Sequence, residues 1–233
     1  GYFIVNGSER LVRLLIATRR NHVKALIRSS FMKRGPLYTH FGCQIRCVRN
    51  DQTSQTLYLQ YLTDGSCMLR FAYRKNEYLV PLMLIMRALL SDVADQDVME
   101  AIVQGDWENT FITGRVEAML RDFKRYALFT QKQCLVYLGS RFHIVLGMPR
   151  DTSFEDVGRE LLRKLICVHL DTPEDKFNCL VLMVRKLYAL VSDSCCPDNP
   201  DSPMHQEILL SGQLFLNYFK EKLEDYLTSI QAV

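Results

Sequence analysis

The sequence predicts an α+β fold whose elements are segregated along the chain: antiparallel strands and hairpins occupy the first third, and helices occupy the remainder. Three observations carry this expectation. Up to Pro81 the apolar residues alternate as in half-buried strands. Within that stretch Asn6-Gly7 and Asp64-Gly65 are turn dipeptides that tolerate positive φ. Beyond Pro81 the apolar spacing changes to three and four, the period of a helix with one buried stripe.

Tyr2 to Val5 reads as a strand, Asn6 to Ser8 as a tight turn, and Leu11 to Ala17 as an apolar strand. Tyr38 to Val48 is a further extended segment. Leu57 to Leu62 and Cys67 to Phe71 flank Thr63-Asp64-Gly65-Ser66, the clearest hairpin in the chain. Glu77 to Val80 adds a short strand ended by Pro81. Helices are expected over Leu82 to Leu90, Gln96 to Val103 and Phe111 to Phe129. Two more run from Gln131 to Phe142 behind a Thr130 cap and from Ser153 to about Leu170. Thr172-Pro173-Glu174-Asp175 is a strong helix start, because a capping hydroxyl and a proline at the first position precede acids that favour the helix dipole. That helix spaces Phe177, Leu180, Val181, Val184, Leu187, Tyr188 and Val191 on one face. Cys195 to Pro203 is a loop broken by prolines, and a last helix spans about Gly212 to Ile230. In it Leu214, Phe215, Leu216, Tyr218 and Phe219 cover almost the whole circumference, so the helix needs neighbours on every side.

With 48% hydrophobic residues, 233 residues can bury one large core or two smaller ones. No apolar run reaches the roughly 18 residues that would span a bilayer, and no signal peptide is visible. The sequence opens without Met in an apolar strand, which suggests a piece of a longer chain. The eight cysteines sit mostly inside apolar periodic segments, as expected of reduced, buried thiols. Net charge is +3 but uneven. Residues 1–50 hold ten Lys or Arg against the single acid Glu9, and the remainder holds nineteen bases against twenty-five acids. A basic front points to a polyanion, an acidic back to a basic partner. Solvated edges and loops, where Lys and Arg block edge pairing, are the alternative.

Gly1-Tyr2-Phe3-Ile4-Val5-Asn6-Gly7-Ser8-Glu9-Arg10 resembles the GYFI-[IV]-NG-x-E-[KR] signature of second-largest subunits of multisubunit RNA polymerases. Further stretches look like the RNA polymerase I type. They are Arg19 to His22, Arg34 to His40, Arg74 to Pro81, Val184 to Val191, Asp198 to Asp201 and His205 to Leu209, in the family's order. The resemblance implies the subunit's lobe, a strand-then-helix module beside the DNA cleft. Residues 1–17 would end the first protrusion segment, 18–207 would form the lobe, and 208–233 would begin the returning protrusion segment. It further implies a nuclear, nucleolar, non-catalytic part of a nucleotidyltransferase complex with no membrane contact. Its partners would be the largest subunit, the remainder of its own subunit, a TFIIF-like heterodimer, a small zinc-ribbon subunit and the DNA backbone. The Mg²⁺ ions of catalysis would belong to the largest subunit, and this chain would hold no cofactor.

The residues themselves offer little chemistry. Asp95 and Asp97 are the nearest acid pair, but on a helix their side chains diverge by about 200°; a first-turn charge preference explains them. His40, Cys43, Cys47, Cys167 and His169 are candidate zinc ligands, yet Cys43 and Cys47 on one strand lie roughly 13 Å apart, and no Cys-x-x-Cys pair occurs. The adjacent Cys195 and Cys196 are candidates for a disulfide or redox switch. No nucleophile elbow or phosphate-cradling loop is present, and His143 reads as a core or rim residue. Binding remains. Arg19, Arg20, Lys24, Arg28, Lys33 and Arg34 are expected in loop or edge positions, where they would attract phosphate without reading bases. Pairing with acids of other subunits is the competing role. Strands such as Tyr58 to Leu62 are expected to be open to a partner strand. Two other function classes stay open from the residues alone: a free-standing basic nucleic-acid-binding protein, and a thiol or zinc hydrolase.

Overall fold

A computed structural model describes residues 2–11, 13–91, 93–149 and 151–231. Its contacts divide the chain into two compact units. One joins the two ends, Gly1–Arg20 with Pro200–Val233, and the other is Asn21–Asn199. The units change over at 20/21 and 199/200, three residues after the expected 17/18 and eight before the expected 207/208.

In the unit of the two ends, β1 (Phe3–Val5) and β2 (Ser8–Arg10) form a hairpin. Asn6 and Gly7 both take positive φ, as a two-residue turn of this hand requires. The apolar strand expected over Leu11 to Ala17 is corrected: the partner of β1 is the polar Ser8–Arg10, and β3 is Leu15–Thr18. Val12 lies outside the described residues. β3 pairs with β9 (Gln206–Leu209), so that Leu15 faces Leu209 and Thr18 faces Gln206. α7 follows as Ser211–Gln231 and contains no buried residue.

The larger unit contains one antiparallel five-stranded sheet in the order β4-β5-β6-β7-β8. β4 is Lys24–Ile27, β5 Tyr38–Val48, β6 Ser54–Leu62, β7 Cys67–Tyr73 and β8 Asn76–Pro81. The β6–β7 turn forms as expected. The Asp64 carboxylate accepts from the backbone N–H of Ser66 at 2.9 Å and from its hydroxyl at 2.7 Å. Register places Cys43, Ile45, Leu57, Leu59, Leu69, Phe71 and Val80 on one face, all buried. The 3₁₀ helix Ser29–Arg34 lies against β5 from the opposite face. There Phe31 comes so close to Gly42 that a Cβ would sit 2.6 Å from its ring.

Among the described residues six α-helices complete this unit: α1 (Leu82–Leu89), α2 (Asp95–Val103), α3 (Thr110–Lys124), α4 (Gln131–Leu146), α5 (Phe154–Leu165) and α6 (Pro173–Val191). Every residue of α1 is buried, as befits a helix surrounded by others. α6 packs on β5 and β6, and α4 pairs with α5 at Gly139 and Gly158. The caps fall where the sequence places them. Thr130, Ser153 and Thr172 accept hydrogen bonds from the backbone N–H of Gln133, Asp156 and Asp175. Two ends are corrected. α3 stops at Lys124, not Phe129, because Ala127 turns into the left-handed region. α5 stops at Leu165, not Leu170, because Ile166 is extended and Cys167 has φ 42°. Past α5 the buried Ile166, Cys167 and Val168 continue in non-helical backbone, whereas past α3 only Leu128 is half-buried and Tyr126 and Phe129 are exposed.

Candidate functional site

The six basic residues singled out in the sequence do not share one body. Arg19 and Arg20 belong to the unit of the two ends, and Lys24, Arg28, Lys33 and Arg34 to the larger unit. Arg20 is committed to an ion pair, its Nε 2.9 Å from the Glu207 carboxylate. Arg19 reaches the Met204 carbonyl at 3.3 Å with one guanidinium nitrogen and is otherwise exposed.

Lys24 does occupy an edge strand, but it is not open to solvent. It sits on β4 opposite Gln44 and is 1% exposed. Burial holds its ammonium below the usual lysine range; the Asp198 carboxylate opposes that shift, and Arg28 and Arg46 add to it. The cause is register: Ala25 turns to the core opposite Cys43, so its neighbour Lys24 is carried to the opposite face. Arg28 lies between β4 and the 3₁₀ helix, and Lys33 is exposed near the end of that helix. Neither has an acidic partner among the described residues.

Arg34 is held. Its guanidinium donates to Glu77 at 2.6 Å, and Arg70 donates to the other Glu77 oxygen at 3.0 Å. Arg70 in turn stacks on Tyr58, its guanidinium carbon 3.8 Å from the ring centre. The Arg34 hydrogen bond, more than the nearby positive charges, holds the Glu77 carboxyl below its ordinary range. This network ties the 3₁₀ helix to β6, β7 and β8.

The acids and thiols resolve into structural roles. Asp95 pairs with Arg87 and lies 3.7 Å from the Lys124 ammonium, while Asp97 accepts from the Ala94 N–H at 2.8 Å to cap α2. Among the described residues no three His, Cys, Asp or Glu side chains are placed to hold a metal. Cys43, Cys47, Cys67, Cys134 and Cys167 are buried, Cys179 and Cys195 are half-buried, and Cys196 is exposed; all eight are free thiols. Burial pushes the Cys67 thiol up to about 12 and the Cys134 thiol up to about 11, far from the thiolate state that nucleophilic chemistry needs. His143 bonds the Pro149 carbonyl at 3.1 Å and meets the Phe154 ring edge-on.

The sheet edges matter more than the sequence indicates. Tyr58 to Leu62, expected to be open to a partner strand, lies in β6 at the centre of the sheet, paired on both sides by β5 and β7. One true edge, β4, is covered. Asp198 accepts from the Ala25 N–H at 2.8 Å and returns its own N–H to the Ala25 carbonyl at 2.8 Å. Lys186 bridges Asp198 at 2.6 Å and the Val23 carbonyl at 2.9 Å. The other edge, β8, borders a groove of about 370 Å³ lined by Tyr78, Tyr126, Tyr137, Arg141 and Phe142.

Comparison with known proteins agrees with this architecture. The family model described as RNA polymerase Rpb2, domain 2, matches residues 19–209. The chain is 55% identical, over its whole length, to a probable DNA-directed RNA polymerase I subunit RPA2 of Schizosaccharomyces pombe. It is 50% identical, again over its whole length, to the DNA-directed RNA polymerase I subunit RPA135 of Saccharomyces cerevisiae. It is 42% identical, over 99% of its length, to the human DNA-directed RNA polymerase I subunit RPA2. In each case the chain spans 20% of the relative's length. An α+β unit with segregated strands and helices, matched by the family model over most of its length, is a member of a known lineage: the chain belongs to the RNA polymerase Rpb2, domain 2, family.

Proposed function

We propose that this chain is a non-catalytic lobe of the second-largest subunit of an RNA polymerase I, working in the nucleus and nucleolus on ribosomal RNA genes. In this reading it forms one wall of the DNA cleft and docks auxiliary subunits, a TFIIF-like heterodimer and a small zinc-ribbon protein. The observation that carries it is the family match over residues 19–209, joined to the three polymerase I subunits reported above. The same match favours this reading over a free-standing nucleic-acid-binding protein. The ends of the chain, 1–17 and 208–233, are the protrusion segments of the parent subunit, and the exposed aromatic faces of α7 are then contacts with that subunit's remaining sequence.

Catalysis by the whole enzyme requires Mg²⁺ held by converging carboxylates. Among the described residues no three acidic, His or Cys side chains are placed to hold such an ion, and the nearest acid pair, Asp95 and Asp97, is engaged by Arg87 and by the Ala94 N–H. In this reading the lobe contributes walls and charge, and the carboxylates come from the largest subunit.

Phosphate contact falls to Arg19, Arg28 and Lys33, the three of the six that are neither buried nor ion-paired. Three such contacts would give a slope of log affinity against log salt near ~3, against ~5 for all six. A slope below about 1 would remove DNA contact from the role.

The assignment as a whole is tested in the assembled polymerase by deleting residues 21–199 from the parent subunit. Nucleotide addition on a preformed RNA–DNA scaffold should persist, while the auxiliary subunits dissociate and grip on downstream DNA weakens. Loss of nucleotide addition with every subunit still bound would overturn the non-catalytic wall.

A further inference from the structure

The two edges of the five-stranded sheet are treated differently, and the difference points to a ligand. At β4 the outward N–H and C=O of Ala25 and the C=O of Val23 are taken by Asp198 and Lys186, so that edge is covered at its start. At β8 the hairpin fixes which groups face outward. Arg74 and Lys75 both have positive φ and form a two-residue turn, with Tyr73 opposite Asn76. The flanking pair of such a turn is hydrogen-bonded, and bonded pairs alternate along an antiparallel ladder. Asn76, Tyr78 and Val80 therefore bond to β7, and the N–H and C=O of Glu77 and Leu79 point away from the sheet. Among the described residues nothing takes these four groups. An unprotected edge is a template for strand addition.

Beside this edge lies the groove walled by α4. Phe142 meets Tyr78 edge-on at 5.2 Å, Tyr137 meets Tyr126 at 6.4 Å, and the Arg141 guanidinium covers the Tyr137 ring at 5.4 Å. A strand laid along β8 would send alternate side chains toward these rings. The charge beside the groove is mainly positive, since Asp122, which acts on Tyr126, is paired with Arg125 at 3.2 Å. Arg74 and Lys75 at the turn and Arg141 on α4 are exposed and have no acidic partner among the described residues, while Glu77 is already shared by Arg34 and Arg70 on the opposite face.

We propose that β8 and its groove bind an extended acidic segment of a partner protein by strand addition, its backbone pairing with Glu77 and Leu79 and its acids meeting Arg74, Lys75 and Arg141. The proposal rests on the docking role given above and narrows it to one edge and one ligand chemistry. Apolar residues at alternate positions of the segment would fill the aromatic groove, and acids between or beside them would supply charge complementarity.

The test uses the chain with a fluorescein-labelled peptide of about eight residues, a strand's usual length, alternating Glu with Val or Phe. Three comparators accompany it: the same peptide N-methylated at alternate amides, a version with Lys in place of Glu, and a single-stranded DNA. Fluorescence anisotropy should show saturable binding that weakens at least about tenfold on N-methylation, on Lys replacement and in Arg141→Glu. Hydrogen exchange should show the Glu77 and Leu79 amides fast in the free chain and slowed by the peptide. Because methylation alters the probe and not the chain, that arm does not depend on a variant folding. Equal affinity for the methylated peptide, no slowing at Glu77 and Leu79, or tighter binding of the DNA at this edge would each overturn the proposal. These outcomes separate it from the broader role. Auxiliary subunits retained by a polymerase whose lobe no longer binds the peptide would sink strand addition alone, whereas their indifference to removal of the lobe would sink docking itself.

Discussion

The larger unit and the unit of the two ends use similar side chains to opposite effect. In the larger unit, each of its helices has a buried face, and Leu180, Val184, Leu187 and Tyr188 of α6 are all fully covered. In the unit of the two ends, the 21 residues of α7 include Phe215, Tyr218, Phe219, Leu223 and Tyr226, and none is buried. Composition alone does not distinguish the two helices. What differs is whether the chain supplies a second layer, and a helix without one draws little stability from its apolar face. The larger unit thus carries its own core, while α7 presents an exposed apolar surface.

That contrast breaks first under cavity formation. Leu187→Ala empties a fully covered site and is expected to cost about 2–5 kcal/mol in denaturant unfolding, while Phe219→Ala on α7 should stay within about 0.5 kcal/mol. Similar losses at both positions would erase the distinction.

Next in size is the close approach of α4 and α5. A Cβ at Gly139 would run into the carbonyl of Phe154, and one at Gly158 into that of Leu135. Gly139→Ala must push two backbones apart, and a loss of about 1–3 kcal/mol is expected from overpacking. A gain in stability, as helix propensity alone would give, would mean the helices are not so tightly seated.

The caps come third. Thr172→Ala leaves the Asp175 N–H without its 3.1 Å acceptor at the start of α6, a loss of about 1 kcal/mol. Thermal unfolding measures it, and Thr172→Ser should restore most of the difference.

The smallest effect is a pH dependence on α5. Hydrogen bonds from Arg163, with Lys164 adding, hold the Glu160 carboxyl at about 2 against an ordinary 4.5. A carboxyl depressed in the folded state contributes stability above pH 4.5, and that contribution fades as pH falls toward 2. Both cations are about half exposed or more, so the pair is worth under about 1 kcal/mol. Glu160→Gln should flatten the stability curve between those two pH values and leave it unchanged in shape near neutrality.

Much of the architecture was legible because its causes are local. Thr172-Pro173-Glu174-Asp175 specifies the start of α6 within four residues, and Asp64-Gly65 specifies the β6–β7 turn within two. The missed strands are those whose cause is distant. β4 is only Lys24–Ile27, and it is a strand because β5 pairs with it; β9 is Gln206–Leu209, and Leu15 of its partner β3 lies 194 residues before the Leu209 it faces. The overlong reading of α5 has a plain reason. Apolar spacing records which residues are buried, and Ile166, Cys167 and Val168 are buried without being helical.

The candidate site divides in the same way. Its charge was plain in the sequence, but the fate of each cation was not. Arg20 and Arg34 are neutralised by Glu207 and Glu77, 187 and 43 residues away. Lys24 is buried by strand register, and no window around it contains that information. The open edge was sought at β6 because alternation marks a strand without marking its place in the sheet.

The sequence by itself determined the segregation of strands and helices, the caps, the turns and the excess of positive charge near the start, since each follows from residues within one turn or one hairpin of each other. Only the tertiary structure decided which strand became the edge, which cations remained free and which helix lacked a covering layer. Those outcomes depend on pairings across the whole chain, where a hydrogen-bonding group or a charge is satisfied by whichever residue the fold brings beside it.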